Sequence, residues 1–438
     1  MTLPNSVLER TPRPRYAAMC CAMAAVCGSA APLNTGRYAV GQIRDANMRS
    51  ALTTLIGVVA LCSCDSGDAR AVSRRSMGDT TLVVSPTQGT EGPVELRELQ
   101  RVRAVALNKV EAGAFGEDGR FWVFDAAGDN GPTLSVLDSL GARLAIAGRE
   151  GSGPGEYRAP VRIFRLADGS MLLKEMQTPR AVRFGREGQV LATLTLPAVV
   201  SSGWVITPDT SGGWYIAASF EVNTAQRVGR YGWLHFRADG SVRDTVLPPL
   251  TFFDEPTPLG IAPGRVRTVA RDGRVFTSVP GPNRLTALGP GPQVMHMEWG
   301  GVPAAYGAAE RADQQAVADK LHDMLGVPHA TLPERKQPIH RILTDRAGQT
   351  WALLSMPGVP IAKEDLPREP DPLTVKWREP ERWAAFAPDG SLRFQVTIPE
   401  SARILDRSDD RLLGVVADAS GAEELVVWRI VRAGALRN

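Results

Sequence analysis

Cysteine and histidine are scarce in this chain of 438 residues, which has 5 of each. All cysteines lie within the first 64 positions, so the rest of the chain has no disulfide framework and no thiol nucleophile. No two histidines have the His-x-x-x-His spacing of a helical zinc site. Neither Gly-x-Ser-x-Gly nor Ser-x-x-Lys occurs, so the local signatures of serine hydrolases are missing as well.

A large charge of one sign is also lacking, because 50 Lys and Arg residues face 47 Asp and Glu residues, for a formal net charge of +3. Residues 1–63 contain six arginines and only two acidic residues, so the mild basicity belongs to the N-terminal segment. Such a balance predicts no nucleic-acid partner. Glycine (43 residues) and proline (33 residues) are abundant without a period of three. This composition excludes a collagen-like chain and favours a fold with many turns.

The N-terminal region has the pattern of an export signal. A basic Arg49 precedes the apolar run 51–61, which is too short to span a bilayer, and Leu61-Cys62-Ser63-Cys64 follows. The alternative is an ordinary buried helix, but residues 65–79 are rich in Ser, Gly, Asp and Arg, as in a flexible tether.

Leu61-Cys62-Ser63-Cys64 resembles a bacterial lipobox, although Cys62 is an unusual residue at its position. The resemblance implies a signal peptide over 48–63, lipidation of Cys64, a tether over 64–79 and a location in the cell envelope. Residues 1–47 contain a second signal-like run, so we interpret them as an over-extended gene start. The alternative is a start at Met1 with cleavage near Ala30 or Ala31.

Two turn signals recur along the rest of the chain. The first is an acidic residue followed closely by glycine between two strand-like runs, a strong hairpin pattern because glycine accepts a positive φ. Its copies are Asp118-Gly119, Asp168-Gly169, 209–213, Asp272-Gly273 and 345–348, with a degenerate copy at 409–411. The second is a large apolar residue four positions before glycine, and it occurs at 137–141, 184–188, 236–240, 285–289 and 386–390.

Together these signals predict six four-stranded antiparallel units. Gly119, Gly169, Gly213 and Gly273 are 50, 44 and 60 residues apart, close to the ~40–50 residues of a propeller blade. We therefore predict an all-β fold, a six-bladed β-propeller over 80–438. The alternatives are a pair of β-sandwiches or an open β-solenoid. Thr80–Ser85 is expected to close the ring by completing the sixth blade beside 424–431.

Two insertions interrupt the repeat. Residues 303–326 are rich in helix formers, with Val317, Leu321 and Leu325 at four-residue spacing, and predict a helix between blades 4 and 5. Residues 357–380 are rich in proline and charge and predict a long surface loop. The tryptophans of the strand-like runs are expected to pack between blades.

One glycine-rich connector stands between the first two units: Gly151, Gly153, Pro154, Gly155, Glu156, Tyr157 and Pro160. It resembles the connector of NHL-type repeats, and the chain is similar to bacterial six-bladed propellers, many of which are exported lipoproteins with no assigned activity. A phosphate-binding loop is disfavoured because the run lacks Gly-Lys-Ser/Thr, contains Pro154 and precedes a strand.

The functional expectation is a non-catalytic module that binds a ligand or a protein in the cell envelope through the face bearing the two insertions. We expect a monomer with a lipid anchor as its membrane contact and no cofactor. The alternative is a metal-dependent hydrolase or lyase, because calcium-dependent sugar-lactone hydrolases are also six-bladed propellers. Under that alternative the substrates would be lactones or sugar-like molecules, and calcium would need hard oxygen ligands on the axis. Asn108 and Glu111 are the polar residues expected to face the axis, but the sequence assigns no metal ligand.

Overall fold

The computed structural model describes residues 71–433, except for 129–130, 159, 176–177, 199, 201–205, 224–227, 248–265, 279–280, 290, 326–330, 364–365, 367–372 and 418–420. The signal peptide and Cys64 lie outside the described residues. No helix among the described residues is both long enough and apolar enough to cross a membrane.

Six sheets follow one another along the chain. The chain first forms β1 (Ser73–Met77), β2 (Thr80–Ser85) and β3 (Val94–Leu107). Blade 1 contains β4 (Val110–Phe115), β5 (Phe121–Asp125), β6 (Thr133–Leu137) and β7 (Arg143–Ile146). A parallel pair, β8 (Arg149–Glu150) and β9 (Glu156–Tyr157), joins it to the next blade. Blade 2 contains β10 (Pro160–Arg165), β11 (Met171–Glu175), β12 (Arg180–Phe184) and β13 (Val190–Thr195).

The remaining blades repeat this order. Blade 3 contains β14 (Ile206–Pro208), β15 (Trp214–Asn223), β16 (Val228–Phe236) and β17 (Val242–Val246). Blade 4 contains β18 (Val266–Val269), β19 (Val275–Ser278), β20 (Arg284–Leu288) and β21 (Val294–Trp299), and the helix α1 (Ala308–Leu325) follows. Blade 5 contains β22 (Ile339–Thr344), β23 (Thr350–Leu354), β26 (Arg382–Phe386) and β27 (Leu392–Thr397), interrupted by the ribbon β24 (Val359–Pro360) and β25 (Trp377–Arg378). Blade 6 contains β28 (Ala402–Ser408), β29 (Arg411–Ala417) and β30 (Glu423–Arg432).

The fold is the predicted six-bladed β-propeller of four-stranded antiparallel sheets, with one helix among the described residues, between blades 4 and 5. The first strand of each blade is innermost, and neighbouring first strands contact each other around the axis, as β4 does with β10 and β28. Large aromatic side chains fill the spaces between blades, as predicted: Trp122, Trp214, Trp351 and Trp383 are each at most 1% exposed. Because each blade is covered on both faces, its middle strands are continuously apolar instead of alternating.

The predicted acidic turns connect the first two strands of the blades. Gly119 has φ +77°, the left-handed conformation that glycine adopts without steric cost. In the degenerate copy of blade 6, Asp409 takes this conformation with φ +53°. Aspartate is among the few other residues that tolerate it, because its short side chain can bond to local backbone.

The prediction for ring closure is wrong in the identity of the closing strand. The fourth strand of blade 6 is β3, which pairs with β30. Thr80–Ser85 instead pairs in parallel with β21 at the outer edge of blade 4. Thr80–Ser85 has four β-branched residues in six and Val94–Leu107 only three in fourteen, so composition favours the wrong segment. The position of each segment along the strap decides which blade it can reach.

The N-terminal segment 73–107, here called the strap, crosses the outer edges of three blades. It adds β1 and β2 to blade 4, and Thr90 and Glu91 then donate backbone hydrogen bonds to Leu392 O and Arg393 O of blade 5, at 2.9 and 2.8 Å. It ends as β3 in blade 6. The predicted tether 64–79 is therefore wrong for Ser73–Met77, which is a strand because it can pair with β2.

Candidate functional site

Each blade presents its turns and its connections on opposite faces of the ring. The turns between first and second strands and between third and fourth strands lie on one face, here called the turn face. The second-to-third loops and the connections between blades lie on the other, the insertion face, because adjacent strands within each blade are antiparallel. Helix α1 and the blade-5 loop at 357–380 therefore emerge on the same face, as the functional expectation requires.

The two insertions contact each other through side chains. Asp313 of α1 accepts hydrogen bonds from Lys376 Nζ at 3.1 Å and Trp377 Nε1 at 2.8 Å. Glu310, in the first turn of α1, accepts from the backbone N–H of Gly307 at 3.2 Å and of Gly358 at 3.3 Å. The first of these bonds satisfies a free donor at the helix N-terminus, and the second fixes the loop to the helix.

A buried cluster lies beneath the insertions. The ammonium of Lys336 donates to Glu310, to Glu379 Oε1 at 2.9 Å and to the carbonyl oxygen of Met356 at 2.8 Å. Its side chain is 1% exposed and its Nζ lies 5.0 Å from the ring centroid of Tyr306. The cation between the two carboxylates is thus the ammonium of the chain itself. This cluster fixes the base of the insertion face.

His340, the second residue of β22, extends this cluster to the surface. Its Nε2 lies 3.0 Å from Glu379 Oε2 and 3.0 Å from Ser355 Oγ. A Ser-His-acid relay requires the two ring nitrogens to contact different partners, whereas here one nitrogen contacts both. In addition, the Ser355 hydroxyl donates to Gln337 O. The arrangement holds the loop against the blade and is not that of a catalytic triad.

Glu379 is held ionised by this cluster. Burial raises its pKa, but the hydrogen bond and charge of His340 and the hydrogen bonds from Lys336 and the Met356 N–H outweigh burial, so the pKa is lowered below its ordinary value of 4.5. An anionic Glu379 matches the ammonium beside it.

The central channel has a second polar feature, which is basic. The innermost strands of the six blades contain six arginines and only two carboxylates among the described residues: Arg162, Arg165, Arg267, Arg341, Arg403, Arg407, Glu111 and Asp406. Three of the arginines have a carboxylate partner among the described residues: Arg165 pairs with Glu117 at 2.7 Å, Arg403 with Glu423 at 3.1 Å and Arg407 with Glu381 at 4.0 Å.

Arg162 and Arg341 face each other across the axis. They belong to blades 2 and 5, which stand three positions apart in a ring of six. Burial lowers the pKa of Arg162 to about 10, and repulsion by Arg341 contributes, with Asp406 opposing it. A repulsion between residues of opposite blades indicates that both guanidinium groups lie near the axis. Arg341 directly follows His340, so the basic channel begins beside the blade-5 cluster.

Arg407 is the most buried of these cations. Its guanidinium lies 3.7 Å from the ring centroid of Trp383, and its Nε has no hydrogen-bond partner. Burial and then repulsion by Arg341 and Arg162 lower its pKa to about 9, although Glu381 and Asp406 oppose the shift. The neighbouring Asp406 accepts from the Phe115 N–H at 2.8 Å and the Arg407 N–H at 2.8 Å. Burial raises the pKa of Asp406, which weakens it as a counter-ion.

The sequence-predicted axis residues, Asn108 and Glu111, each contact neighbours in blade 1. Asn108 is exposed, and its backbone N–H donates to Asp125 Oδ2 at 3.0 Å. Glu111, on β4, accepts from Lys109 Nζ at 2.5 Å. Among the described residues, no group of three or more His, Cys, Asp or Glu side chains is placed to hold a metal ion.

The connector residues lie between blades 1 and 2 and make structural contacts. Glu156 accepts from the Gly153 N–H and from Arg149 Nε, both at 2.7 Å, and Tyr157 OH accepts from the Leu134 N–H at 2.9 Å. A Cβ on Gly155, where φ is +76°, would lie 2.6 Å from Val190 Cγ2. The other motif residues are also structural. The carbonyl oxygen of Gly151 accepts a hydrogen bond from Arg180, Pro154 is exposed, and Pro160 begins β10.

The channel arginines were missed by the sequence reasoning although a signal was present. Arginine recurs in the strand that precedes the acidic turn, in blades 2, 4, 5 and 6. The strands after these turns have the stronger apolar pattern, which masks the recurrence of arginine.

Two histidines lie in strands of the blades. His235 lies between Asp209, at 2.7 Å, and Asp244, at 3.0 Å. His296 contacts Thr286 Oγ1 at 2.9 Å. Both histidines are hydrogen-bonded within their blades.

The protein is similar to known proteins in structure. No family model and no curated protein matches the sequence. The structure is similar to a protein assigned as exported from Bacteroides fragilis, with a TM-score of 0.44, 10% identity, and coverage of 79% of this chain and 99% of the other. It is similar to a DUF4221 family member from Bacteroides vulgatus, with a TM-score of 0.44, 11% identity, and coverage of 78% and 99%. A gluconolactonase from Xanthomonas campestris gives a TM-score of 0.39, 12% identity, and coverage of 79% and 91%.

Proposed function

We propose that this protein is an exported, membrane-tethered β-propeller of the cell envelope that binds a ligand or a partner protein and catalyses no reaction. The observation that supports this most strongly is that the two long insertions of the ring lie against each other on one face. They do so beside an arginine-lined channel. Surface insertions held by a rigid scaffold are common places for recognition.

The side-chain chemistry of the insertion face favours binding over catalysis. His340 contacts Ser355 and Glu379 through one nitrogen, and the cation between Glu310 and Glu379 is Lys336. Each of these groups has a hydrogen-bond or ion-pair partner within the chain. Such a network stabilises a surface for recognition.

Capture experiments test the insertion face with matched variants. Val302 and Met324 are exposed apolar residues on this face, 70% and 56% exposed, and Leu140, 77% exposed, lies in a turn of blade 1 on the opposite face. Membrane extracts passed over wild-type protein should yield a bound species that V302S/M324S loses and L140S retains. Equal capture by all three proteins, or none by the wild type, would contradict the proposal.

The membrane tether depends on Cys64 in this proposal. C64S should move the protein from the membrane fraction to the soluble fraction and abolish incorporation of a labelled fatty acid. Retention of C64S in the membrane fraction would overturn the lipid-anchor proposal. Size-exclusion chromatography of the C64S protein should give the mass of a monomer.

The calcium-dependent hydrolase alternative has its own test. Metal analysis of the purified protein, combined with a panel of lactone and ester substrates, should give no stoichiometric calcium and no turnover. Stoichiometric calcium together with lactone hydrolysis would replace the binding proposal by the alternative.

A further inference from the structure

The arginines of the central channel point to the chemistry of a ligand. We infer that the channel binds a small, multiply charged oxyanion, with carboxylate or phosphate-type groups, through the guanidinium groups of Arg162, Arg341 and Arg407. The inference rests on the proposed binding function and names the class of ligand.

The charges of Arg162 and Arg341 have no direct counter-ion. Among the described residues, neither side chain makes a hydrogen bond or an ion pair, and the two repel each other. The side chain of Arg407 is only 9% exposed, and its ion pair with Glu381 is long, at 4.0 Å. Glu381 in turn accepts from Trp383 Nε1 at 2.5 Å. Arg341 is exposed and Arg162 half-buried, so an anion from solvent can reach both guanidinium groups and supply the counter-ion that they lack. Arg407 is buried, and its weakly paired charge is costly without a further anion.

The shape and placement of the guanidinium groups also suit an oxyanion. Arginine offers its donors in a planar fork that matches two oxygens of a carboxylate or phosphate group. Arg162 and Arg341 approach the axis from blades 2 and 5, on opposite sides of the ring, so an anion between them would meet donors from both sides. The guanidinium of Arg407, which stacks on Trp383, is held in place by the ring.

The other charged groups around these three arginines also leave the channel positive. Asp406 is the carboxylate that faces Arg162 and Arg407, and it is already engaged by two backbone N–H groups. Arg346, exposed at the turn end of the channel, adds further positive charge beside Asp406. The carboxylates of the chain therefore leave the channel positive.

Thermal unfolding of the C64S protein in three anions tests the inference. Citrate, inorganic phosphate and sulfate are titrated at constant ionic strength set by sodium chloride. At least one of them should raise the unfolding midpoint in a saturable manner, and the comparison of citrate with phosphate distinguishes a polycarboxylate from a phosphate ligand. R162Q and R341Q should each weaken the apparent affinity by about tenfold or more, since hydrogen bonds to charged groups contribute ~1.5–3 kcal/mol. R143Q, on the exposed outer strand of blade 1, is the control and should leave the affinity unchanged.

A second measurement separates a binding role from a structural one. R407M replaces the buried cation with an apolar side chain of similar length. If the charge serves ligand binding, this variant should unfold at a higher temperature than the free wild type and lose the response to anions. The inference is overturned if no anion stabilises the wild type, or if R143Q weakens the response as much as R341Q. Anion binding by the channel without capture by the insertion face would contradict the partner-binding proposal alone.

Discussion

Lys336 is the residue on which the base of the insertion face most depends. Its buried ammonium joins Glu310 of α1 to Glu379 of the blade-5 loop. K336M would leave two carboxylates without their cation, and we expect a loss of about 3–5 kcal/mol in the free energy of unfolding, as for other buried pairs broken on one side. K376M is the matched control, because Lys376 is 54% exposed in its pair with Asp313. It should cost less than about 1 kcal/mol in urea unfolding, and equal losses for the two variants would show that the buried cluster is not a stabilising element.

The lowered pKa of Glu379 makes the stabilisation by this cluster depend on pH. Burial raises its pKa, but His340 and Lys336 outweigh burial and lower it below the ordinary 4.5 that applies in the unfolded chain. A carboxyl group with a lowered pKa stabilises the fold above its unfolded pKa, and this contribution is lost as pH falls through the folded pKa. The difference in unfolding free energy between wild type and E379Q should therefore be full at pH 6 and shrink below about pH 4.5.

Urea unfolding at several pH values measures this difference. E187Q, at the exposed ion pair of Glu187 with Arg120, is the control and should give a difference near zero throughout. A difference for E379Q that grows on acidification would contradict the sign of the pKa shift.

Among the elements, the strap lies very close to the backbone of blade 5. At Gly89, where φ is +78°, a Cβ would lie 2.3 Å from Arg393 O, so the strap passes blade 5 only because this residue has no side chain. G89A should destabilise the protein by about 2–4 kcal/mol, from backbone strain together with displacement of the strap.

Gly78 provides the matched comparison for this prediction. It also has a positive φ, +57°, but nothing lies within 4 Å of its Cβ position. G78A should cost only the conformational strain, about 1 kcal/mol. Thermal or urea unfolding compares the two, and equal effects would show that the strap does not press against blade 5.

On the scale of the whole molecule, the sequence predicts the ring because its turns are local. Asp118-Gly119 and its copies need only neighbouring residues to specify a hairpin, so the number and order of the blades could be read from spacing. The closing strand could not, because Thr80–Ser85 has the stronger β-branched character, whereas Val94–Leu107, rich in Arg, Glu and Leu, is the segment that reaches blade 6.

The candidate site was predictable only in its outline. The sequence places α1 and the loop at 357–380 on one face, since both are insertions in the connections of neighbouring blades. Lys336, Glu310 and Glu379 are far apart in the chain, and no local pattern brings them together. Arg162 and Arg341 likewise come close enough to repel each other only because blades 2 and 5 face each other across the axis.

The anion-binding channel is tested most directly by a crystal structure of the C64S protein with citrate. We expect a six-bladed ring with a citrate carboxylate between the guanidinium groups of Arg162 and Arg341, and α1 packed on the blade-5 loop above the channel. A channel without citrate, in which Arg162 and Arg341 each pair with a carboxylate of the chain itself, would contradict this expectation.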